Sequence, residues 1–398
     1  MDGPPNAELA RLHALETEIA ALRRAIEDYR SSTSWRITAP LRAIATACKR
    51  GRDRWAVARG SEAESVGTPA HLKEIAPLPI ASDAEPAIGA VVFSEEQRAS
   101  GAYWDCVAAK AADIRPRTAW WNDPHTLRHI NRVVCGEAID GPHAGFNRRL
   151  AAYLREQGIV GPRAVSVGSG NGGKELVLLH EGIIRSFDCY EVGAGSVTAG
   201  RRLAAEQGLS DRLSFHHADA FAVDVAADYD VVYWNNALHH MIDTPKAVRW
   251  SRDHIRCGGV FAMDDYVGES RFQHTAALVA WSNRMLSLLP DRLLRRWDDP
   301  ARLIPRPVHI HAPEDIAAID PTEAVDSGNI IPAVRSTFAD PVVIPTGGAL
   351  YFVALNDAFH NFVDEPDLRL LDALLLLDAA VAQIGETPYA VCLATKTP

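Results

Sequence analysis

The sequence predicts an α/β protein built on a doubly wound, mostly parallel sheet, and three observations predict it. Apolar stretches at 163–168, 186–191, 213–216, 229–234 and 258–264 alternate with helical patterns, which is the order of a parallel sheet with crossover helices. The first stretch, with β-branched Val165 and Val167, breaks into Gly168-Ser169-Gly170-Asn171-Gly172-Gly173 before Lys174-Glu175-Leu176 opens a helix. A strand, a glycine turn and a helix N-terminus form a nucleotide-type cofactor site, because the turn lets a ligand approach the backbone. Polar residues also recur where the later strands end, at Glu191, Asp219-Ala220 and Asn235-Asn236. Open α/β sheets bind their ligands along that carboxyl edge.

The 398 residues have room for one large domain with appendages or for two domains, and 47% hydrophobic with 23% charged residues is a globular composition. No run of ~18 apolar residues predicts a transmembrane helix. The polar start Met1-Asp2-Gly3-Pro4-Pro5 lacks a signal-peptide core, and the six cysteines stand singly. A reducing cytoplasm is therefore expected. The net charge of −10 is unevenly spread: residues 1–60 carry 11 Lys/Arg against 7 Asp/Glu, the remainder 30 against 44. An acidic body argues against nucleic acid as the main partner.

Taken in order, Leu12, Leu15, Ile19, Leu22, Ile26 and Tyr29 follow a 3-4-3-4-3 spacing, the seam of a short coiled coil. So short a seam (1–30) serves either a homo-oligomer or packing on the chain's own body. The segment 31–60 holds seven Lys/Arg after residue 34, with Trp35 and Trp55 among them. A basic amphipathic stretch of this kind either is solvated or makes peripheral contact with the anionic inner face of a membrane. Residues 61–93 are rich in Pro, Ala and acids and read as a linker. A helical cap is expected over 94–160, leading into the sheet domain at 161–398. Within that domain, 270–345 reads as a helix ending near Leu288-Leu289-Pro290 and an irregular, proline-rich insert on the acceptor side. Pro341 to Ile344 and Tyr389 to Ala394 read as strands, 347–362 and 366–384 as helices.

Gly168-x-Gly170-x-x-Gly173 spells a dinucleotide fingerprint literally. The surrounding acids favour another cofactor. Glu191 ends the second strand 19 residues after Gly172, where a carboxylate can accept both hydroxyls of an adenosine ribose. Asp219 is placed to take the adenine amino group, and Asn235-Asn236-Ala237-Leu238-His239-His240 follows the fourth strand. No lysine has a tyrosine four residues upstream, so the Tyr-x-x-x-Lys pair of a short-chain dehydrogenase is absent. Over roughly 160–270 this combination resembles the class I S-adenosylmethionine-dependent methyltransferases, with their Rossmann-like sheet. The resemblance implies S-adenosyl-L-methionine as cofactor, held by Gly168, Ser169, Gly170, Asn171, Gly172, Glu191, Asp219, Ala220, Asn235 and Asn236.

A further resemblance concerns the pathway. Ser34-Trp35-Arg36-Ile37-Thr38-Ala39-Pro40-Leu41-Arg42 is similar to a segment found beside glycosyltransferase and methyltransferase domains of bacterial surface-polysaccharide assembly. Asp265-Tyr266-Val267-Gly268-Glu269-Ser270-Arg271-Phe272-Gln273 and Asp320-Pro321-Thr322-Glu323-Ala324-Val325 look like the C-terminal half of methyltransferases encoded with glycan-assembly enzymes, where the first position is usually Glu. These likenesses imply O-methylation of a sugar or glycan. A small-molecule or lipid acceptor is the alternative, and a non-catalytic scaffold in a glycan-assembly complex is the alternative from another class. Hydroxyl acceptors benefit from a base. His240 is the first candidate, then Asp265, with His239 beside them or shaping the cofactor pocket. Tyr266, Arg271 and Gln273 offer a ring and polar hooks to the acceptor, or else fix the start of the following helix. No metal site is read: His309-x-His311 with Glu314-Asp315 lacks recognised spacing, and His125 and His129 are expected on a helix surface.

Overall fold

The structure, a computed structural model, describes residues 93–110 and 119–397. The coiled-coil seam, the basic segment and the linker up to residue 92 lie outside the described residues. Helix α1 (Glu95–Lys110) begins at a capping box: the Ser94 N–H donates to Gln97 Oε1 at 2.8 Å and the Gln97 N–H to Ser94 Oγ at 3.1 Å. Helix α2 (Pro124–Cys135) follows an Asp123 cap that accepts from the Thr126 N–H and Oγ1, and Gly136 in the left-handed region ends it. Helix α3 (Ala144–Glu156) leads into the sheet.

The chain then alternates as expected. Strand β1 (Arg163–Val167) feeds α4 (Gly173–His180), β2 (Ser186–Glu191) feeds α5 (Ala194–Glu206), and β3 (Leu213–His217) precedes β4 (Tyr229–Asn235). Helix α6 (Thr244–His254) crosses to the long β5 (Ile255–Tyr266), and α7 (Ala276–Ser287) follows. Within the insert, which the sequence reads as irregular after α7, two more helices form: α8 (Pro313–Ile319) and α9 (Ile330–Thr337). Strand β6 (Val342–Gly347), a π-helical turn at Ala349–Ala354, α10 (Glu365–Gln383) and β7 (Tyr389–Thr395) complete the chain.

The seven strands lie in the order β3-β2-β1-β4-β5-β7-β6, with β7 antiparallel to both neighbours and the other pairings parallel. Strand order reverses between β1 and β4, which creates the crevice where such sheets bind ligands. Both faces are covered, so β1 is apolar almost throughout. Ala164 joins Phe146 and Leu150 of α3 and Leu178 of α4 in one core, and Phe146 stacks on Tyr233 at 5.6 Å. Val165 and Val167 join Trp234, Val248 of α6 and Val334 of α9 in the other. Phe215 of β3 fills the space left by two glycines. A Cβ at Gly172 would lie 2.5 Å from its ring, and one at Gly200 2.4 Å. The buried ring, worth about 1.5–3 kcal/mol by area, thus fixes the glycine turn against α5. Among the described residues no helix is long and apolar enough to cross a membrane.

His129 of α2 departs from expectation, being buried and not on a helix surface, and its Nε2 has no partner among the described residues. Burial, then Arg132, lowers its pKa to about 4. Between pH 6.5 and 4 the unfolded chain therefore binds a proton that the folded one refuses, so stability falls as pH falls through that window. Denaturant melts at pH 7 and pH 4.5 should show His129→Leu losing less stability on acidification than the wild type, by about 2 kcal/mol. Equal losses in both proteins would mean that acid acts elsewhere.

Candidate functional site

The glycine turn, Glu191 and the start of α5 form one hydrogen-bonded unit at the crevice. Glu191 Oε2 accepts from the Gly170 N–H and Oε1 from the Gly193 N–H, each at 2.8 Å. Burial pushes the Glu191 pKa up, while the N–H groups of Gly193, Gly170 and Val192 pull it back. Gly170 has φ 58°, and a Cβ there would meet nothing within 4 Å, so its outer face is open to a ligand. The bonds from Gly170 and Gly193 take one position on each Glu191 oxygen, and a carboxylate has about four, so room remains for a ribose hydroxyl. Ser169 and Ala220 are buried in the floor, and the exposed Asn171 caps the turn by accepting from the Gly173 N–H. Asn235 is buried and turned inward: its side-chain amide donates to Tyr233 Oη at 2.8 Å, while its backbone carbonyl accepts from Lys174 Nζ. Asn236, at φ 49°, is half-buried at the turn. The residues present fit an adenosyl group.

Helix α1 lies over this edge, which sequence reasoning missed. Gln97 Nε2 donates to Asp219 Oδ2 at 2.8 Å, while Asp219 Oδ1 accepts from the Phe221 N–H. Gly101 lets the helix backbone approach that of Val192-Gly193, where a Cβ would be 3.2 Å from the Val192 carbonyl. Asp105 caps α5 by accepting from the N–H groups of Gly195 and Ser196 at 2.9 and 2.8 Å. Trp104 Nε1 donates to Asp320 Oδ2 at 2.9 Å, and Ser100 Oγ lies 2.9 Å from Thr322 Oγ1. One helix therefore spans the edge from the end of β3 to the 320–322 loop. The helical pattern over 94–160 marked the helix, but nothing in the sequence marked the edge it covers.

The turn after β4 carries the second part of the site. Asp265 is fully buried; Oδ2 accepts from the Ala237 and Leu238 N–H groups at 3.0 and 2.7 Å, and Oδ1 from the Tyr266 N–H and His239 Nδ1. Its oxygens are thus engaged within the protein. Asp265, expected as a candidate base, spends both oxygens on these four donors, His239 among them. On the other side, His239 Nε2 lies 3.4 Å from Glu323 Oε1. Burial alone would lower the His239 pKa, but Asp265 and then Glu323 raise it to about 10. Burial works against Asp265 and Glu323 as carboxylates too, and His239 holds both below their usual range. His240 Nδ1 lies 3.1 Å from Thr322 Oγ1, and Trp104 meets its ring edge-on at 5.5 Å. Burial, then the His239 charge, holds the His240 pKa at about 4, so this imidazole is neutral at pH 7.

Arg271 donates to the carbonyls of Pro321, Glu323 and Asp320, and so shapes the loop carrying Glu323. Gln273 donates to the carbonyls of Arg271 and His311. The hydrogen bonds of both side chains go to the protein's own backbone. Tyr266 is buried, donates to the Glu269 carbonyl, and anchors an aromatic wall. Phe272 lies 4.8 Å and Tyr389 5.5 Å from it, Phe352 packs on Phe272, and Trp120 reaches Tyr389 at 5.2 Å. His239 stands 6.3 Å from the Tyr266 ring, at the polar end of this wall.

Metal-type residues also gather where sequence spacing indicated none. His239, His240 and Glu323 each offer a ligand atom, all within 4.8 Å of one another. Glu323 was visible only as part of a motif, because 83 residues separate it from His240.

Residues 165–263 match the family model of the methyltransferase domain. Solved structures of similar fold include geranyl diphosphate C-methyltransferase from Streptomyces coelicolor A3(2), solved with Mg2+, geranyl diphosphate and S-adenosyl-L-homocysteine. It is 13% identical over 76% of this chain and 98% of that one, with a TM-score of 0.42. A protein from Galdieria sulphuraria, described as a sarcosine dimethylglycine methyltransferase, is 14% identical over 63% of this chain and 85% of its own, with a TM-score of 0.39. The (4+2)-cyclase SpnF is 15% identical over 78% of this chain and 99% of its own, also with a TM-score of 0.39.

Proposed function

We propose that this chain, an S-adenosylmethionine-dependent methyltransferase, methylates an oxygen of a sugar or glycan in surface-polysaccharide assembly. When bound, S-adenosylmethionine supplies a methyl group already activated on a sulfonium. The protein's own part is then to position, to exclude water and to manage charge at the acceptor. Glu191 and the glycine turn hold the donor end, α1 covers the edge, and the turn after β4 faces the acceptor. The observation that carries the acceptor class is the half-buried aromatic wall with a polar cluster at one end. Phe272, Phe352, Tyr389 and Trp120 offer ring faces to an apolar sugar surface. Trp120 Nε1 and His274 Nδ1 are buried beside them without a protein partner among the described residues, as hooks for hydroxyls would be. The two C-terminal motifs resembling those of glycan-linked methyltransferases support the same class.

The test is transfer of a labelled methyl group from S-adenosylmethionine to three acceptor sets: sugar nucleotides, glycan fragments, and small non-carbohydrate alcohols. Label on a carbohydrate, with Phe352→Ala raising KM, is the expected result. Transfer only to non-carbohydrate molecules would overturn the sugar assignment. Cofactor binding with no turnover on any set would favour the scaffold.

A further inference from the structure

We propose that His239, His240 and Glu323 form a binding site for one divalent transition-metal cation. The ligand geometry is the first ground. Two ligand atoms about 2.1 Å from a tetrahedral ion stand about 3.4 Å apart, and His239 Nε2 and Glu323 Oε1 are 3.4 Å apart. The third ligand atom, from His240, lies within 4.8 Å of both.

The groups behind the ligands are the second ground. A metal-binding histidine normally donates its other ring N–H to a carboxylate or another acceptor, which fixes the tautomer and aims the lone pair. His239 Nδ1 is bonded to the fully buried Asp265. His240 Nδ1 faces Thr322 Oγ1, whose hydroxyl lies 2.8 Å from Asp320 Oδ1, itself 1% exposed. With the threonine hydroxyl donating to Asp320, it accepts from the His240 Nδ1–H. Each ring then keeps its proton on Nδ1, which leaves Nε2 as the nitrogen able to ligate. The two adjacent histidines are thus each held from behind by a different partner.

Charge is the third ground. Asp265, Asp320 and Glu323 bring three carboxylates together, and their only ion-pair partners among the described residues are these two imidazoles. The Arg271 guanidinium donates to the carbonyls of 320, 321 and 323 instead. Two imidazoles and one carboxylate select Zn2+, Mn2+ or Fe2+ over Mg2+, which prefers an all-oxygen shell. Three protein ligands also leave a coordination position open. On the methyl-transfer reading above, that position takes the acceptor oxygen and makes His240 a ligand and not a base.

The test measures the metal alone, with no acceptor and no turnover, so it stands or falls apart from the choice of acceptor. The full chain carrying His309→Ala and His311→Ala, which removes a surface histidine pair, is stripped with chelator and titrated with Zn2+ or Mn2+. About one equivalent should bind, with Mg2+ failing to compete. Glu323→Gln and His240→Ala should abolish saturable binding while S-adenosylmethionine binding persists, which reports an intact fold. Thr322→Val, which leaves every ligand in place, should weaken the metal roughly 10–100-fold. Absence of saturable binding in the parent, or equal binding in Glu323→Gln, would overturn the site and leave His239 as a protonated clamp between Asp265 and Glu323.

Discussion

Replacing Asp265 with alanine should cost about 3–5 kcal/mol of folding stability, because it strips a buried cation of its partner and leaves main-chain donors unpaired. Asp265 receives the N–H groups of Ala237, Leu238 and Tyr266 and the His239 ring. None of these donors is placed to find water, since the carboxylate is fully buried. The variant should also change the pH dependence. In metal-free wild type the His239 pKa is raised to about 10, so the stability it contributes is present below about pH 6.5 and is lost as pH rises through about 10. Denaturant melts in chelator at pH 7 and pH 9.5 should show a decline in the wild type and a much flatter profile in Asp265→Ala. Parallel profiles would mean that the imidazole is not held charged by this carboxylate.

Glu191→Ala should weaken S-adenosylmethionine binding by at least about tenfold and by as much as a hundredfold or more, as loss of charge-assisted hydrogen bonds worth about 1.5–3 kcal/mol implies. Two effects act together. The variant removes the acceptor for ribose hydroxyls, and it frees the Gly170 and Gly193 N–H groups that hold the turn against α5. Glu191→Gln keeps one acceptor oxygen and should fall between alanine and wild type. Calorimetry with the cofactor checks both, and unchanged affinity in the alanine variant would remove Glu191 from the donor site.

These two residues show how unequally the site was written in the sequence. Glu191 was legible because strand β2, its length and its distance from the glycine turn are all local. The strand places its last residue at the sheet edge whatever packs around it. Asp265 was legible as a residue, but its role was not. Nothing local says that a carboxylate at the end of β5 is enclosed by the turn after β4, leaving it without access to an acceptor. Glu323 was harder still, since it stands in the loop between α8 and α9, outside any periodic element. Its position depends on Arg271 gripping the carbonyls of 320–323.

The sequence by itself determined the sheet, the crevice and the glycine turn. Apolar runs of strand length alternate with amphipathic helices, and glycines at 168, 170 and 172 adopt the left-handed backbone that the turn requires. Tertiary structure alone decided what closes the crevice and what faces the acceptor. Helix α1 reaches Asp219, Gly193 and Asp320 across separations of 92 to 216 residues, through contacts such as Gln97 to Asp219 and Trp104 to Asp320. The His239–His240–Glu323 cluster likewise joins two loops whose meeting no spacing rule encodes. Periodicity reports which face of an element is buried. It carries no information about which distant polar groups that burial brings within hydrogen-bonding reach.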